Sequence, residues 1–157
     1  NITTPPGRMQ KIENKNYNVY VDYAHTPDAL KQVLTSYTID NIKPDLVFGC
    51  GGNRDEGKRS KMGRIANKFA NNVYVTDDNP RNENPSIIRK TIIKNCKKAI
   101  EISDRKKAII QAIKNLEKNH TLIIAGKGHE NKQIIKNSLK LFDDKKIAKI
   151  ALKAKKK

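Results

Sequence analysis

Tryptophan is missing from these 157 residues, and the aromatic share is only 5 %. So few flat rings offer few platforms on which unpaired bases could stack. Cysteine is nearly as scarce. Cys50 and Cys96 lie far apart, in or beside apolar stretches. They are expected to be buried free thiols of a cytoplasmic protein rather than a disulfide or a metal site. No apolar run approaches the roughly 18 residues a membrane helix needs, so no membrane partner is expected. The opening Asn1-Ile2-Thr3-Thr4-Pro5-Pro6 lacks the basic start and apolar centre of a secretory signal. It also lacks a starting Met, as a fragment or a processed product would. A serine nucleophile elbow, a Cys–His arrangement and zinc-ligand spacing are all missing, which argues against a hydrolase. Acidic residues are short as well: 16 Asp and Glu stand against 33 Lys and Arg, a net charge of +17. One reading of that excess is an anionic partner such as nucleic acid. The other is a lysine-rich decoration of solvated helix faces. The basic residues show no interleaved aromatics, so nucleic acid is not the expected partner, and a basic binding module is kept only as an alternative.

Alternation and capping signals place the elements. Tyr17–Tyr23 alternates as a strand. Thr26 caps a helix that has Pro27 in its first position and runs to about Tyr37. Asp45–Cys50 is a continuously apolar strand, and 49–57 is a glycine-rich loop. Residues 58–70 carry Met62, Ile65, Ala66 and Phe69 as a helical stripe. Val73–Thr76 is a strand, Pro85–Lys97 a helix with Ile88, Ile92 and Cys96 inward, and Ala99–Ile102 a weak strand. Ser103 is expected to cap a helix to about Glu117, with Ala108, Ile109, Ala112, Ile113 and Leu116 on one face. Thr121–Ala125 is the most apolar strand. A hairpin is expected from Gln133–Lys136 and Leu139–Phe142. Asp143-Asp144 starts a last helix with Ile147, Ile150 and Ala151 inward. Strands alternating with helices imply an α/β, Rossmann-like, doubly wound and mostly parallel sheet, with the hairpin or an antiparallel edge strand at its C-terminal end. Residues 1–12 read as an extended linker, 13–152 as the domain, and 153–157 as a frayed basic tail.

In such a sheet the loops after the strands' carboxyl ends share one edge, where ligands bind. Four polar clusters fall there: Asp22-Tyr23-Ala24-His25, Gly51-Gly52-Asn53-Arg54-Asp55, Asp77-Asp78-Asn79-Pro80-Arg81 and Gly126-Lys127-Gly128-His129-Glu130. Asp22 suits a ribose diol or a metal-bound water, or else a turn. His25 is a ligand or a structural hydrogen-bonder. Residues 52–59 nearly spell a phosphate loop, G-x-x-x-x-G-K-[ST], but Arg59 stands where the metal-holding hydroxyl is needed and Ser60 comes one residue late. The glycines are therefore expected to turn the backbone while Arg54 points into the cleft, unless it pairs with Asp55 or Glu56. Asn79-Pro80 breaks a strand and displays Asp78, Asn79 and Arg81 on a turn, where a guanidinium can grip a carboxylate or phosphate through two bonds. Gly126 and Gly128 allow close approach of a ligand. Glu130 can accept from an ammonium or merely open a helix, and Lys127 reads as a solvated charge. Together these loops suit a zwitterionic small molecule with more than one carboxylate.

The ordered motifs DYAHTPDAL, FGCGGNRDEGKRSKMG, TDDNPRNENP and AGKGHE resemble the C-terminal domain of the Mur ligase family, in the branch that adds meso-diaminopimelate during peptidoglycan synthesis. The resemblance runs from Gly7-Arg8-Met9 nearly to the end. It implies a three-domain, ATP-dependent, amide-forming enzyme in which ATP phosphorylates a carboxylate of a UDP-N-acetylmuramoyl dipeptide and the incoming amine displaces the phosphate. It also implies that ATP and Mg2+ are held mainly by a central domain beyond this stretch. This stretch alone is thus expected to carry no catalytic residue and no metal ligand, and not to ligate by itself. By matching positions, Arg8, Asp22 and His25 resemble the family's nucleotide-side residues. Arg54, Asn79, Arg81, Gly126 and Glu130, with Asp78 and Pro80 of the same turn, resemble its amino-acid-binding set. The D-N-P-R form resembles members that add meso-diaminopimelate; members that add L-lysine usually lack the arginine, and lysine remains the alternative. Asn53, Glu56 and Ser60-Lys61 depart from the common pattern without touching these residues.

Overall fold

The strands that were expected to be apolar on both faces lie at the centre of the sheet in the computed structural model, which describes residues 7–155. Six strands, β1 (Gln10–Ile12), β2 (Asn18–Asp22), β3 (Asp45–Phe48), β4 (Val73–Val75), β5 (Ile100–Glu101) and β6 (Thr121–Ala125), form one sheet in the order β1-β2-β6-β3-β4-β5. All neighbours are parallel except β1, which runs antiparallel along β2 with Gln10 opposite Val21. β3, β4 and β6 are buried at every position, as strands covered on both faces must be. The antiparallel edge strand is thus at the N-terminal side, made by the last residues of the expected linker. Pro5 and Pro6 lie outside the described residues.

Helices α1 (Pro27–Ser36), α2 (Gly57–Phe69) and α3 (Pro85–Ile93) cover one face, and α4 (Arg105–Asn115) and α5 (Asp144–Lys155) the other. The first core gathers Leu30, Leu34, Met62, Ala66, Ile88 and Ile92 against β3 and β4. The second gathers Ala108, Ile109, Ala112, Ile113, Ala148 and Leu152 against β2 and β6. Thr26 caps α1 as expected, its hydroxyl accepting from the Ala29 N–H at 3.3 Å.

Four local expectations change. Asp104, not Ser103, caps α4, accepting from the Lys107 N–H at 2.9 Å. Ser103 is still tied to the sheet edge, its carbonyl accepting from the Thr76 hydroxyl at 3.1 Å and the Asp77 N–H at 3.3 Å. Ile150 is 69 % exposed, because the buried stripe of α5 is Asp144, Ala148 and Leu152, spaced by four along a helix of 3.6 residues per turn. Residues 153–155 are the last turn of α5. The Lys155 ammonium donates to the carbonyls of Ile113 at 2.7 Å and Leu116 at 2.6 Å, closing the end of α4. The hairpin β7 (Lys132–Ile135) and β8 (Ser138–Leu141) forms one residue earlier than expected, turning at Lys136-Asn137 with Lys136 at φ 52°, and makes a separate two-stranded sheet.

One fully buried ion pair binds the second face together. Arg105 on α4 donates two bonds to Asp144 on α5, both 2.8 Å, and a third to the Ala125 carbonyl at the end of β6, 3.1 Å. Burial works against the Arg105 charge, but the Asp144 carboxylate more than offsets it and raises its pKa. Asp144→Ala should leave a buried, unpaired cation and lower the unfolding free energy in urea by about 3–5 kcal/mol. Pairing it with Arg105→Met should restore much of the loss.

Candidate functional site

β6 sits between β2 and β3, so its following loop meets the loops of both neighbours. The carboxyl edges of β2, β3, β4 and β6 surround a cleft of about 340 Å³. Its wall includes Arg54, Asp78, Asn79, Arg81, Gly126 and Glu130, along with His25, Cys50 and Lys58. Six of the seven residues expected on the amino-acid side therefore come together there. The seventh, Pro80, lies behind the wall: its carbonyl is what a side chain at Gly52 would strike. That close approach, sealed by the Gly52 N–H donating to the Asn79 carbonyl at 2.8 Å, is why position 52 carries no side chain.

Arg81 is held from three directions. Its backbone is left-handed (φ 51°), an uncommon state for a residue with a side chain. β7 sustains it: the Arg81 N–H donates to the Ile134 carbonyl at 3.1 Å and the Lys136 N–H to the Arg81 carbonyl at 2.7 Å. Its guanidinium lies over Gly51 and donates to the Gly52 carbonyl at 2.9 Å. A guanidinium has five N–H donors, so most remain for a ligand. Arg54 is exposed and donates to the Asn53 carbonyl at 3.1 Å, while Asp55 accepts from the Gly57 N–H at 2.9 Å. Arg54 thus faces the cleft rather than pairing with its acidic neighbours.

Asp78 and Asn79 are buried, and Gln133 of β7 donates to the Asp78 carbonyl at 2.8 Å. Gly126 adopts φ 115°, and a Cβ there would come within 2.7 Å of the Asp78 carboxylate. Asp77 is not part of the cleft. It turns to Arg89 of α3, which also bonds Glu101 at 2.8 Å. Arg59, the residue that spoils the phosphate-loop pattern, is buried and paired with Glu83, with a bond to the Gly51 carbonyl at 3.3 Å. Glu83 also accepts from the Asn53 N–H at 3.0 Å, so the pair braces the glycine-rich loop from below.

Arg8, Asp22 and His25 meet at a second hollow of about 390 Å³ on the far side of β2, walled by Ala29, Val33 and Tyr37. Asp22 spends both carboxylate oxygens on backbone, accepting from Ala24 at 2.7 Å and Met9 at 2.8 Å, as a turn residue does. The His25 Nδ1 sits 2.8 Å from the Tyr23 carbonyl. A carbonyl can only accept, so Nδ1 carries the hydrogen, and Nε2 is the outward atom of the exposed ring. Among the described residues, no group of three or more His, Cys, Asp or Glu could hold a metal ion, and no helix is long and apolar enough to cross a membrane.

Lys127 was expected to be a solvated charge and is instead 0 % exposed. Its ammonium donates to the Asn79 Oδ1 at 2.8 Å and to Glu130 at 3.4 Å. Its position in a Gly-Lys-Gly loop carried no sign of this, because the shortest of these bonds goes to Asn79 of the β4 loop. The β7 contacts to residues 78, 79 and 81 were equally hidden.

The chain resembles known proteins throughout. Residues 7–128 match the Mur ligase family, glutamate ligase domain. The UDP-N-acetylmuramoyl-L-alanyl-D-glutamate–2,6-diaminopimelate ligase of Rickettsia montanensis is 49 % identical over 152 residues, covering 94 % of this chain and 31 % of that protein. The ligase of the same name from Anaplasma marginale is 49 % identical over 146 residues, covering 91 % and 30 %. A solved structure of such a ligase superposes with a TM-score of 0.89 at 40 % identity, over 99 % of this chain and 33 % of that one. Folylpolyglutamate synthase from Thermotoga maritima shares the fold, with a TM-score of 0.59 at 21 % identity over 78 % of this chain and 28 % of that one. The chain thus spans about a third of the length of the curated relatives it matches.

Two measurements check the electrostatics. Burial pushes the Cys50 thiol up to about 12, and that of Cys96 up as well. Since the thiolate is the reactive form, iodoacetamide at pH 8 should leave both cysteines unmodified in the folded protein and alkylate both after unfolding. The Arg59 hydrogen bond holds the Glu83 carboxyl below its usual 4.5. The unfolded chain therefore takes up that proton first. The stability Glu83 lends is complete above pH 4.5 and is lost as pH falls through its lower folded value. Glu83→Gln should flatten the acid limb of the stability curve while lowering stability at pH 7.

Proposed function

The chain belongs to the Mur ligase family, and on that premise we propose that it is the C-terminal, amino-acid-binding domain of an ATP-dependent ligase. That ligase joins meso-diaminopimelate to UDP-N-acetylmuramoyl-L-alanyl-D-glutamate, through an acyl-phosphate, in peptidoglycan synthesis. The observation that carries the proposal is the Arg81 guanidinium, fixed by a left-handed backbone and the Gly52 carbonyl in a cleft that also holds Asn79, Arg54 and Glu130. Guanidinium and amide donors suit carboxylates, and Glu130 suits an ammonium. Meso-diaminopimelate has an amino and a carboxylate group at each end. L-Lysine lacks the far carboxylate, and accommodating it would leave a guanidinium unpaired, which penalises the wrong substrate.

Holding the amine donor in one orientation is this domain's contribution to rate, because a bound, aligned nucleophile attacks with far less entropy to lose. ATP supplies the phosphoryl group that activates the acceptor carboxylate. On this side it would meet Arg8 and His25 across the second hollow, whose apolar wall of Ala29, Val33 and Tyr37 suits a base and whose exposed guanidinium suits phosphate. Asp22, with both oxygens committed to backbone, would shape that hollow rather than hold Mg2+. The residues here do not fit a metal site, and Mg2+ belongs to the rest of the ligase. The cytoplasm, where the amino acid and ATP are found, is the compartment this reading requires.

In the full-length ligase, Arg81→Ala should raise KM for meso-diaminopimelate about 10- to 100-fold, as the loss of charge-assisted bonds worth about 1.5–3 kcal/mol predicts. Its use of L-lysine should not fall. Undiminished use of meso-diaminopimelate by this variant would overturn the assignment, and preference of the unaltered enzyme for L-lysine would replace the substrate.

A further inference from the structure

We propose that Lys127 is a positioning residue that fixes the polarity of the amine-binding cleft by orienting Asn79 and Glu130 without touching the ligand. The proposal rests on the amino-acid-binding reading of that cleft. Lys127 lies two residues past the end of β6 and is not part of the cleft wall. Its ammonium runs beneath the wall, 2.8 Å from Asn79 Oδ1, 3.4 Å from Glu130 Oε2 and 3.8 Å from Asp78 Oδ1.

That placement decides which end of the Asn79 amide faces out. Asn79 Oδ1 accepts twice, from the Lys127 ammonium and from the Ile134 N–H at 3.0 Å, which uses its two lone pairs. Its Nδ2 donates one hydrogen to Glu130 Oε2 at 3.3 Å, and the other is left for a ligand. A donor there selects a carboxylate. Glu130 is sorted in the same way. Lys127 and Asn79 both bind its Oε2, leaving Oε1 to accept from an ammonium. The cleft therefore presents one donor and one acceptor side by side, the complement of an amino-acid head group, and the buried cation sets which is which. With Lys127 removed, the amide could rotate and offer its oxygen, and the buried Asp78 and half-buried Glu130 carboxylates would lose their shared cation.

The test uses the full-length ligase, with steady-state kinetics and a thermal melt for each variant. Lys127→Met removes the ammonium and keeps the apolar stem. Asn79→Asp keeps the acceptor that Lys127 bonds but removes the outward donor. Each should raise KM for meso-diaminopimelate at least tenfold while kcat and KM for ATP move less than threefold. The double variant should be no worse than the weaker single one. If Lys127→Met does not fold, Lys127→Arg, which keeps a buried cation but displaces its donors, should show the same selective rise. Parallel losses in kcat and in both KM values would mark a general structural role and overturn the proposal, as would an unchanged KM in Asn79→Asp. A rise with Arg81→Ala but none with the Lys127 variants would overturn the proposal and leave the cleft reading standing. No rise with any of them would overturn the cleft reading itself.

Discussion

The insertion of β6 between β2 and β3 is the constraint on which the rest of this molecule depends. Its register places Ala125 opposite Asp22 on one side and Ile124 opposite Val47 on the other. Every residue of the strand is buried, so a shift in register would strand apolar side chains and ladder hydrogen bonds together. Because β6 arrives last, over the face opposite to α1–α3, its loop must drop between loops already placed by β2 and β3. This is the switch point of a doubly wound sheet. Here it also explains why the cleft is made of residues from 23 to 130 that share no local sequence.

Two buried cations secure the end of that strand from opposite directions. Arg105 donates to the Ala125 carbonyl and spends its charge on Asp144 of α5. Lys127, two residues beyond Ala125, spends its charge on the β4 loop. One arrangement ties the helices of the second face to the strand, and the other ties the strand to the polar turn. A buried ion pair is no sure gain in stability against an apolar replacement, but breaking one is costly. What such pairs do supply is a unique answer to where each loop must sit, and a cleft that selects by geometry needs that uniqueness.

Much of this was legible in the chain because local rules and burial agreed. Val73–Val75 and, after Thr121, Leu122–Ala125 are apolar throughout and became fully buried strands; Thr26-Pro27 and Asn84-Pro85 carry caps and first-turn prolines and became helix starts. The four polar clusters converged because the strand order put their loops on one edge. What was not legible depended on partners distant in sequence. Ser103 resembles a cap as closely as Asp104 does, and only the sheet-edge bonds to its carbonyl decide between them. Lys127 sits 48 positions from Asn79, and no periodicity announces such a tie. The left-handed Arg81 follows a proline like any turn residue, yet its stability comes from β7, more than fifty positions away.

A small part of the charge excess has a similar resolution. Lys155 closes α4, while Lys43 donates to the Lys68 carbonyl at 2.8 Å and Lys98 to that of Ala70, at the end of α2. Helix C-termini expose carbonyls without intrahelical partners and a partial negative charge, and lysines answer both. Burial lowers the pKa of Lys98 and Lys155, so these ammonium groups are structural members rather than a free coat of charge. The cations that shape the cleft are of another kind: Arg81 and Arg54 line it, and Lys127 orders it from beneath. On the proposed reading, selection of a second carboxylate follows from a guanidinium that the left-handed turn and the Gly52 carbonyl hold in the cleft. That rigidity comes from the sheet and hairpin, so specificity in this domain is a property of the fold as much as of the residue that expresses it.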